Sequence, residues 1–122
     1  QILLPSSKQA RDDFEKKKND ESERLLSKLK PSDYVILLDE KGKSVNSRDW
    51  ADSIQKLFVR SQPNITFVVG GAFGVSEKLK SRANDTWSLS KLVFNHHVAT
   101  LVVLEQIYRA GTILNNKPYH ND

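Results

Sequence analysis

The amino-acid sequence predicts an α/β fold with a mainly parallel sheet flanked by helices, in a single domain over residues 1–122. Two continuous apolar runs, at 34–39 and 65–69, lack the alternation of a half-exposed strand and are typical of strands buried on both faces. Segments with apolar residues at helical spacing alternate with these runs. At 122 residues the chain has room for one hydrophobic core.

The first strand and helix are predicted from a short apolar start and a long charged segment. Residues 2–4 favour a short strand. The segment 8–30 carries many charges and few apolar residues, so we expect it to be mobile at first and helical from about Asp20. Pro31 disfavours continuation of that helix. The lysine run 16–18 is most simply a solvated face, and its alternative role is contact with an RNA backbone.

A buried strand and a capped helix are predicted for the next segment. The apolar run 34–39 is followed by Lys-Gly-Lys at 41–43, which predicts that the strand ends in a turn. Asn46 or Ser47 has the side chain of a helix N-cap, and apolar residues recur at helical spacing after it. We expect this helix to stop at Pro63.

The last third of the chain predicts two further strands and two further helices. Residues 65–69 are rich in β-branched side chains and predict a second buried strand. Ser76 has the side chain of an N-cap, and a short helix is expected after it. A strand-like segment at 87–94 and a long helix at 97–110, broken at Gly111, complete the prediction.

Composition excludes several classes of protein. Cysteine and methionine are both absent, which excludes disulfide scaffolds, thiolate metal sites and a cysteine nucleophile. Every apolar run is too short to span a membrane, so we expect no membrane partner. The net charge of +4, from 19 basic and 15 acidic residues, suits a polyanionic partner such as RNA.

The start of the sequence bears on where the protein works. It lacks the pattern of a signal peptide and does not begin with methionine. We therefore expect that preceding residues are missing, a targeting segment conceivably among them. The expected location is the cytoplasm, or an organelle if a leader has been removed.

Three segments are predicted to meet at one edge of the sheet. In open α/β sheets, ligands lie beyond the carboxyl ends of the strands. That rule places Leu38-Asp39, Gly70-Gly71 and residues 89–94 near one crevice. The glycine pair followed by Gly74 also suits a simple strand-to-helix turn. It matches neither the dinucleotide G-x-G-x-x-G pattern nor a phosphate loop, so a nucleotide hydrolase is not favoured.

Several polar side chains near the end of the sequence are candidates for chemistry. His96-His97 lacks a further ligand at i+4 spacing, so no metal site is predicted, and a capping or core role is the ordinary alternative. His96 directly follows the crevice segment, which keeps a role in the site open. Glu105 and Arg109 stand at i,i+4 and are expected to form a structural ion pair. The terminal pair Tyr119-His120 lies where chains are commonly disordered.

Five motifs, taken in order, resemble those of one known family. They are Leu37-Leu38-Asp39, Val-Gly-Gly-Ala-Phe-Gly at 69–74, Leu-Ser-Lys-Leu-Val-Phe-Asn-His at 89–96, Leu-Glu-Gln-Ile-Tyr-Arg-Ala at 104–110 and Pro-Tyr-His at 118–120. The chain resembles the ribosomal RNA large subunit methyltransferase H family, minimal members of the SPOUT, or α/β-knot, methyltransferases. The resemblance covers essentially the whole chain. The ordered combination is specific, although each motif is weak alone.

The resemblance implies a homodimeric enzyme that moves a methyl group from S-adenosylmethionine to N3 of a pseudouridine in large-subunit (23S) ribosomal RNA. It implies an α/β-knot fold with a deep C-terminal trefoil knot, in which residues 89–94 pass beneath an earlier loop. The N-terminal strand and helix of the family are absent from this sequence. The implied partners are ribosomal RNA in the large ribosomal subunit or the assembled 70S-type ribosome, since a chain this small has no RNA-binding extension.

The resemblance also implies a set of site residues. The cofactor-binding positions are Leu38, Gly70, Gly71, Leu89, Ser90, Lys91, Leu92, Val93 and Phe94. The catalytic positions are His96, Arg109, Tyr119 and His120, with the terminal Tyr-His reaching the site of the partner subunit. His120 is the better candidate for the base that removes the N3 proton, because an imidazole ordinarily titrates near neutrality. Arg109 would hold a phosphate or a uracil oxygen.

Two positions depart from the family pattern. Asn95 stands where the family usually has proline, and Thr100 stands where it commonly has arginine. If that arginine contacts RNA, this chain compensates elsewhere or acts on a different target. Two alternatives therefore stay open: a non-catalytic knotted module that binds RNA or a nucleotide, and a SPOUT methyltransferase with a transfer RNA target.

Overall fold

The structure is a computed structural model that describes residues 1–3, 14–60, 64–70 and 74–121, and its strands form one parallel sheet. The strands are β1 (Ile2–Leu3), β2 (Tyr34–Ser44), β3 (Ile65–Val69) and β4 (Asp85–Ser88), paired in the order β1-β3-β2-β4. The helices are α1 (Phe14–Ser27), α2 (Ser47–Val59), α3 (Glu77–Arg82) and α4 (His96–Leu114). The predicted α/β fold, a parallel sheet flanked by helices, is confirmed.

Helices cover both faces of the sheet, because successive strand residues point to opposite sides. Val35 and Leu37 of β2 pack in the smaller core cluster, with α1 and α3. Ile36 and Leu38 of the same strand pack in the larger cluster, with α2 and α4. All four side chains are buried. Burial on both faces explains why this run is continuously apolar rather than alternating.

Three aromatic side chains join α2, β3 and β4 in the larger cluster. Trp50 stacks on Phe67 with ring centroids 5.4 Å apart, and it meets Trp87 edge-on at 5.1 Å. Such ring pairs contribute about 0.5–1.5 kcal/mol each beyond their burial. The cluster therefore holds the end of β4 against the sheet, at the point where the predicted cofactor segment begins.

The first helix starts earlier than the sequence predicts. It begins at Phe14 rather than at about Asp20. Lysine and glutamate are good helix formers, and Lys18 donates a hydrogen bond to Glu15 at 3.1 Å. Leu25 is buried beneath this charged surface, so few apolar residues suffice to dock the helix. The predicted mobile stretch before it lies outside the described residues.

The second strand continues through the segment that was predicted to be a turn. β2 runs to Ser44, with a register shift against β4 between Leu38 and Lys43. Gly42 makes this possible, because a Cβ there would lie 2.7 Å from the carbonyl oxygen of Thr86. Next comes the predicted N-cap at Asn46, whose side chain accepts a hydrogen bond from the Asp49 amide at 2.8 Å.

Two predictions about the last third of the chain give the wrong bounds, one for a strand and one for a helix. Only Asp85–Ser88 is a strand, and residues 89–95 form an irregular segment in which the Ser90 hydroxyl accepts a hydrogen bond from the Leu92 amide at 3.0 Å. The last helix also runs past Gly111 to Leu114. A glycine within a helix costs only about 1 kcal/mol relative to alanine. Burial of Ala110 and Thr112 on either side of the glycine outweighs that cost.

Candidate active site

The carboxyl ends of β3 and β4, together with residues 38–40 in the middle of β2, open into a cavity of about 460 Å³. Small-molecule sites typically have volumes of about 300–1,000 Å³. The sequence-predicted residues that line the cavity are Leu38, Gly70, Leu89, Ser90, Leu92, Val93, Phe94 and His96. The structure thus brings together the three segments that the sequence places at one crevice.

Two predicted cofactor residues are not among the lining residues. Lys91 is exposed, and the described part of the cavity wall does not include it. Gly71 lies outside the described residues. A cofactor role for these two positions stays a prediction.

One wall of the cavity is shaped by a glycine and apolar side chains. Leu38 is buried in the middle of β2, and Leu89 and Phe94 of the irregular segment, which line the same cavity, are half-buried. A Cβ on Gly70 would lie 3.2 Å from Cγ1 of Val75, which is tighter than ordinary packing. The wall therefore has the apolar surface and the close backbone approach that an adenine ring requires.

Two carboxylates lie at the same cavity. Asp39 and Glu40, just beyond the buried part of β2, both line it. Their negative charges suit a ligand that carries positive charge, such as a sulfonium or an ammonium group. The sequence reasoning placed Asp39 at the crevice and missed Glu40, although its position directly after Asp39 was a usable signal.

His96 lies where α4 begins, beside the cavity. The Asn95 side chain caps this helix by accepting a hydrogen bond from the His97 amide at 2.9 Å. The Nε2 atom of His96 is buried and has no hydrogen-bond partner among the described residues. Burial, and then the neighbouring His97, lower the pKa of the His96 imidazole, so the ring at the cavity is neutral at physiological pH.

Thr100, at the second position that departs from the family pattern, forms a hydrogen bond within its own helix. Its hydroxyl donates a hydrogen bond to the backbone carbonyl of His96 at 2.7 Å. This contact lies within the first turns of α4, and it orders the helix start rather than reaching outward as an arginine would.

A second group of polar and aromatic side chains, here called the tail cluster, lies at the other end of α4. It consists of Glu105, Tyr108, Arg109, Tyr119 and His120. Arg109 donates to both Glu105 carboxylate oxygens, from Nε at 2.8 Å and from Nη2 at 3.1 Å. Its guanidinium carbon lies 4.7 Å from the centroid of the Tyr119 ring, which meets Tyr108 edge-on at 4.9 Å. The predicted i,i+4 ion pair is therefore present and forms the base of the cluster.

The hydrogen bonds of Arg109 restrict the protonation of His120. The hydrogen bond to Glu105 raises the pKa of the Arg109 guanidinium, so this group stays cationic and can only donate. Its Nη1 atom lies 3.1 Å from Nδ1 of His120. Nδ1 must therefore be the acceptor, and the ring hydrogen of the neutral imidazole is on Nε2.

The cavity and the tail cluster are far apart within one chain. At a rise of 1.5 Å per residue, α4 carries Arg109 about 20 Å beyond His96. Arg109, Tyr119 and His120 are not among the cavity-lining residues in the described part of the chain. Of the four predicted catalytic residues, only His96 belongs to the cavity of its own chain.

The described residues contain neither a candidate metal centre nor a candidate membrane span. Over residues 1–3, 14–60, 64–70 and 74–121, no group of three or more histidine or carboxylate side chains is placed to hold a metal ion. In those ranges, no helix combines the length and the apolar character needed to cross a membrane.

Comparison with known proteins gives one consistent family. A family model described as "Predicted SPOUT methyltransferase" matches residues 1–120. A protein of Pseudothermotoga lettingae is 48% identical over 108 residues, covering 88% of this chain and 70% of the relative. A protein of Syntrophotalea carbinolica is 40% identical over 120 residues (98% and 77%), and one of Bdellovibrio bacteriovorus is 42% identical over 118 residues (97% and 76%). Each of the three is called Ribosomal RNA large subunit methyltransferase H.

Proposed function

Because the chain belongs to the ribosomal RNA large subunit methyltransferase H family of SPOUT methyltransferases, we propose that it methylates large-subunit ribosomal RNA. The proposed acceptor is N3 of a pseudouridine, and the proposed methyl donor is S-adenosylmethionine. The observation that carries the proposal is the cavity beside three parallel strands, at the carboxyl ends of β3 and β4, lined by the segments that the family motifs contribute. A ribosomal substrate further implies that the protein works in the cytoplasm. Family membership also implies the trefoil knot, which stays a prediction.

The cavity residues fit the proposed cofactor. Leu38, Leu89 and Phe94 would hold the adenine, with Gly70 leaving room for it, and Asp39 and Glu40 would balance the positive charge of the donor. When bound, S-adenosylmethionine supplies a methyl group already activated by its sulfonium, so the protein has only to align donor and acceptor. The residues present therefore suffice without a metal or a protein nucleophile.

The tail cluster would complete the site from a second copy of the chain. Along α4, four apolar side chains fall on one face and are exposed: Val98 (49%), Leu101 (67%), Leu104 (51%) and Tyr108 (59%). An exposed apolar stripe of this kind is typical of an oligomer interface. A two-fold pairing through this face would bring Arg109, Tyr119 and His120 of one protomer to the cavity and His96 of the other. The proton on N3 must leave during transfer, and the imidazole and guanidinium are the groups suited to assist.

Mixed dimers test whether the two halves of the site come from different chains. Gly70→Val would impair the cavity and His120→Ala would impair the tail, so each variant alone, assayed at a donor concentration below saturation, should be strongly reduced in activity. A heterodimer of the two has one site with both halves intact. Random mixing should restore about a quarter of the activity of the unsubstituted dimer. Absence of any recovery, in mixtures shown by tagged purification to contain heterodimers, would contradict the shared site.

Binding and transfer assays test the activity itself. Titration calorimetry should show S-adenosylmethionine binding, and tritium from labelled donor should enter large-subunit RNA. A folded dimer that does not bind the donor would favour the non-catalytic module. Mapping of the labelled nucleotide separates a ribosomal from a transfer RNA target.

A further test concerns the form of the substrate. We expect assembled ribosomal particles to be methylated far better than free RNA, because a net charge of +4 attracts RNA without selecting one structure in it. Equal labelling of both forms would contradict this expectation.

A further inference from the structure

The hydrogen bonds of the tail cluster determine what chemistry His120 can perform. We propose that His120 acts as a hydrogen-bond donor to a uracil carbonyl oxygen rather than as the base that removes the N3 proton, and that Glu105 is a positioning residue that maintains this state through Arg109. The proposal rests on the methyltransferase function proposed above. It assigns to Glu105 a role beyond the structural ion pair that the sequence predicts.

The first step of the argument is the direction of the hydrogen bond between Arg109 and His120. Guanidinium nitrogens carry hydrogens and have no acceptor capacity, so the 3.1 Å contact from Nη1 requires a lone pair on Nδ1 of His120. A neutral imidazole has one lone pair and one N–H. While this contact is made, the ring presents an N–H at Nε2, and an N–H cannot accept a proton.

The second step is the role of Glu105. Its two carboxylate oxygens accept from Nε and Nη2 of Arg109, so the planar guanidinium is fixed in rotation about its own axis. With those positions taken, Nη1 is the edge directed towards His120. The same guanidinium lies over the Tyr119 ring, which places the whole tail relative to α4. Glu105 therefore acts on Tyr119 and His120 through Arg109.

The third step is the chemistry at N3. This nitrogen lies between two carbonyl groups, so its negative charge on losing the proton is shared with their oxygens. A donor at one of these oxygens stabilises that charge and lowers the pKa of N3. The N3–H bond breaks with the proton passing to solvent, and the N3 electron pair forms the new bond to the methyl carbon. The sulfur–methyl bond breaks and its electron pair stays on sulfur.

The dependence of rate on pH distinguishes a donor from a base. With His120 as donor, the logarithm of the single-turnover rate should rise steadily with pH until the pKa of N3 is reached. With a base on the enzyme, the rate should level off at a pH well below the pKa of N3. A plateau there would overturn the proposal.

A conservative substitution gives a second, independent readout. In His120→Gln, the side-chain amide keeps an N–H donor but cannot act as a base at neutral pH. We expect His120→Gln to stay within about tenfold of the unsubstituted rate, and His120→Ala to fall by about 10²-fold or more, as for loss of an oxyanion donor. Equal losses in the two variants would show that the N–H is not what matters.

Glu105 is tested by its coupling to His120. Glu105→Gln should lower kcat by about tenfold with little change in cofactor affinity, as is typical when a supporting hydrogen bond is lost. In the His120→Ala background the same change should cost nothing further, because the two residues act through one contact. Additive losses would contradict the positioning role.

The matched control is Glu23→Gln, which removes a carboxylate from an exposed ion pair with Lys78 at 3.3 Å. It should leave kcat unchanged, and melting curves and sedimentation should show that every variant is a folded dimer. If the unsubstituted protein binds S-adenosylmethionine but labels no RNA, the proposed function fails. If it labels RNA with a rate plateau well below the pKa of N3, only the donor role of His120 fails.

Discussion

The close approach of β2 to β4 at Gly42 makes a quantitative prediction about stability. Substitution by alanine would place a Cβ 2.7 Å from the carbonyl oxygen of Thr86 and 2.9 Å from its Cγ2 atom. Both distances are well inside the 3.4 Å at which ordinary contact begins. The obstructing atoms include backbone, so a rotamer change cannot relieve the clash, and the two strands must separate.

The expected cost of Gly42→Ala follows from that overlap. Forcing extra atoms into a packed position typically costs about 1–3 kcal/mol. For a chain of this length, such a loss lowers the melting temperature by about 4–12 °C. Because β4 leads into residues 89–95, the displacement should also weaken S-adenosylmethionine binding at the cavity.

Thermal melting followed by circular dichroism measures the first effect, and titration calorimetry measures the second. The matched control is Gly111→Ala, since a Cβ there meets nothing within 4 Å and alanine is the better helix former. The control should raise the melting temperature by about 2–4 °C. If Gly42→Ala melts within a degree of the unsubstituted protein, the close approach of the strands is refuted.

Three further variants test the site and the fold. Gly70→Val should crowd Val75 and weaken S-adenosylmethionine binding by more than about tenfold, measured by calorimetry well below the melting temperature of the variant, which the crowding of this buried neighbour should also lower. Asn46→Ala should cost about 1 kcal/mol by removing the N-cap of α2, and Asn46→Ser should restore most of it in thermal melts. The lowered pKa of His96 means that the unfolded chain binds this proton more readily, so stability should fall as pH drops below about 6.5. His96→Gln should flatten that part of the curve of melting temperature against pH.

Strand identity and the place of the cavity follow from local sequence in this protein. The apolar run 65–69 is the observed strand β3, and Asn46 and Ser76 are the observed helix caps. Because parallel strands end at one edge of the sheet, the segments after β2, β3 and β4 had to meet there. The fold class and the cavity lining could therefore be predicted without knowledge of side-chain contacts.

The features that escaped prediction depend on contacts distant in sequence. The continuation of β2 past Lys41 requires β4 as a partner, and that pairing leaves no trace in the Lys-Gly-Lys pattern itself. The sequence of the irregular segment after Ser88 predicts a strand because apolar residues dominate it. In the structure, however, Leu92 and Val93 of this segment are exposed. The tail cluster depends on the way the chain turns back after α4, where Asn116 has a φ of 56°.

The length of α4 has a consequence for how activity scales with the amount of protein. The helix carries Arg109, which contacts the terminal imidazole, about 20 Å beyond His96 at the cavity, so under the proposed pairing an isolated protomer would hold every needed group without a working centre. The proposed pairing then makes turnover per chain a function of concentration. Dilution below the dissociation constant of the pair should extinguish catalysis, while donor binding by single protomers persists.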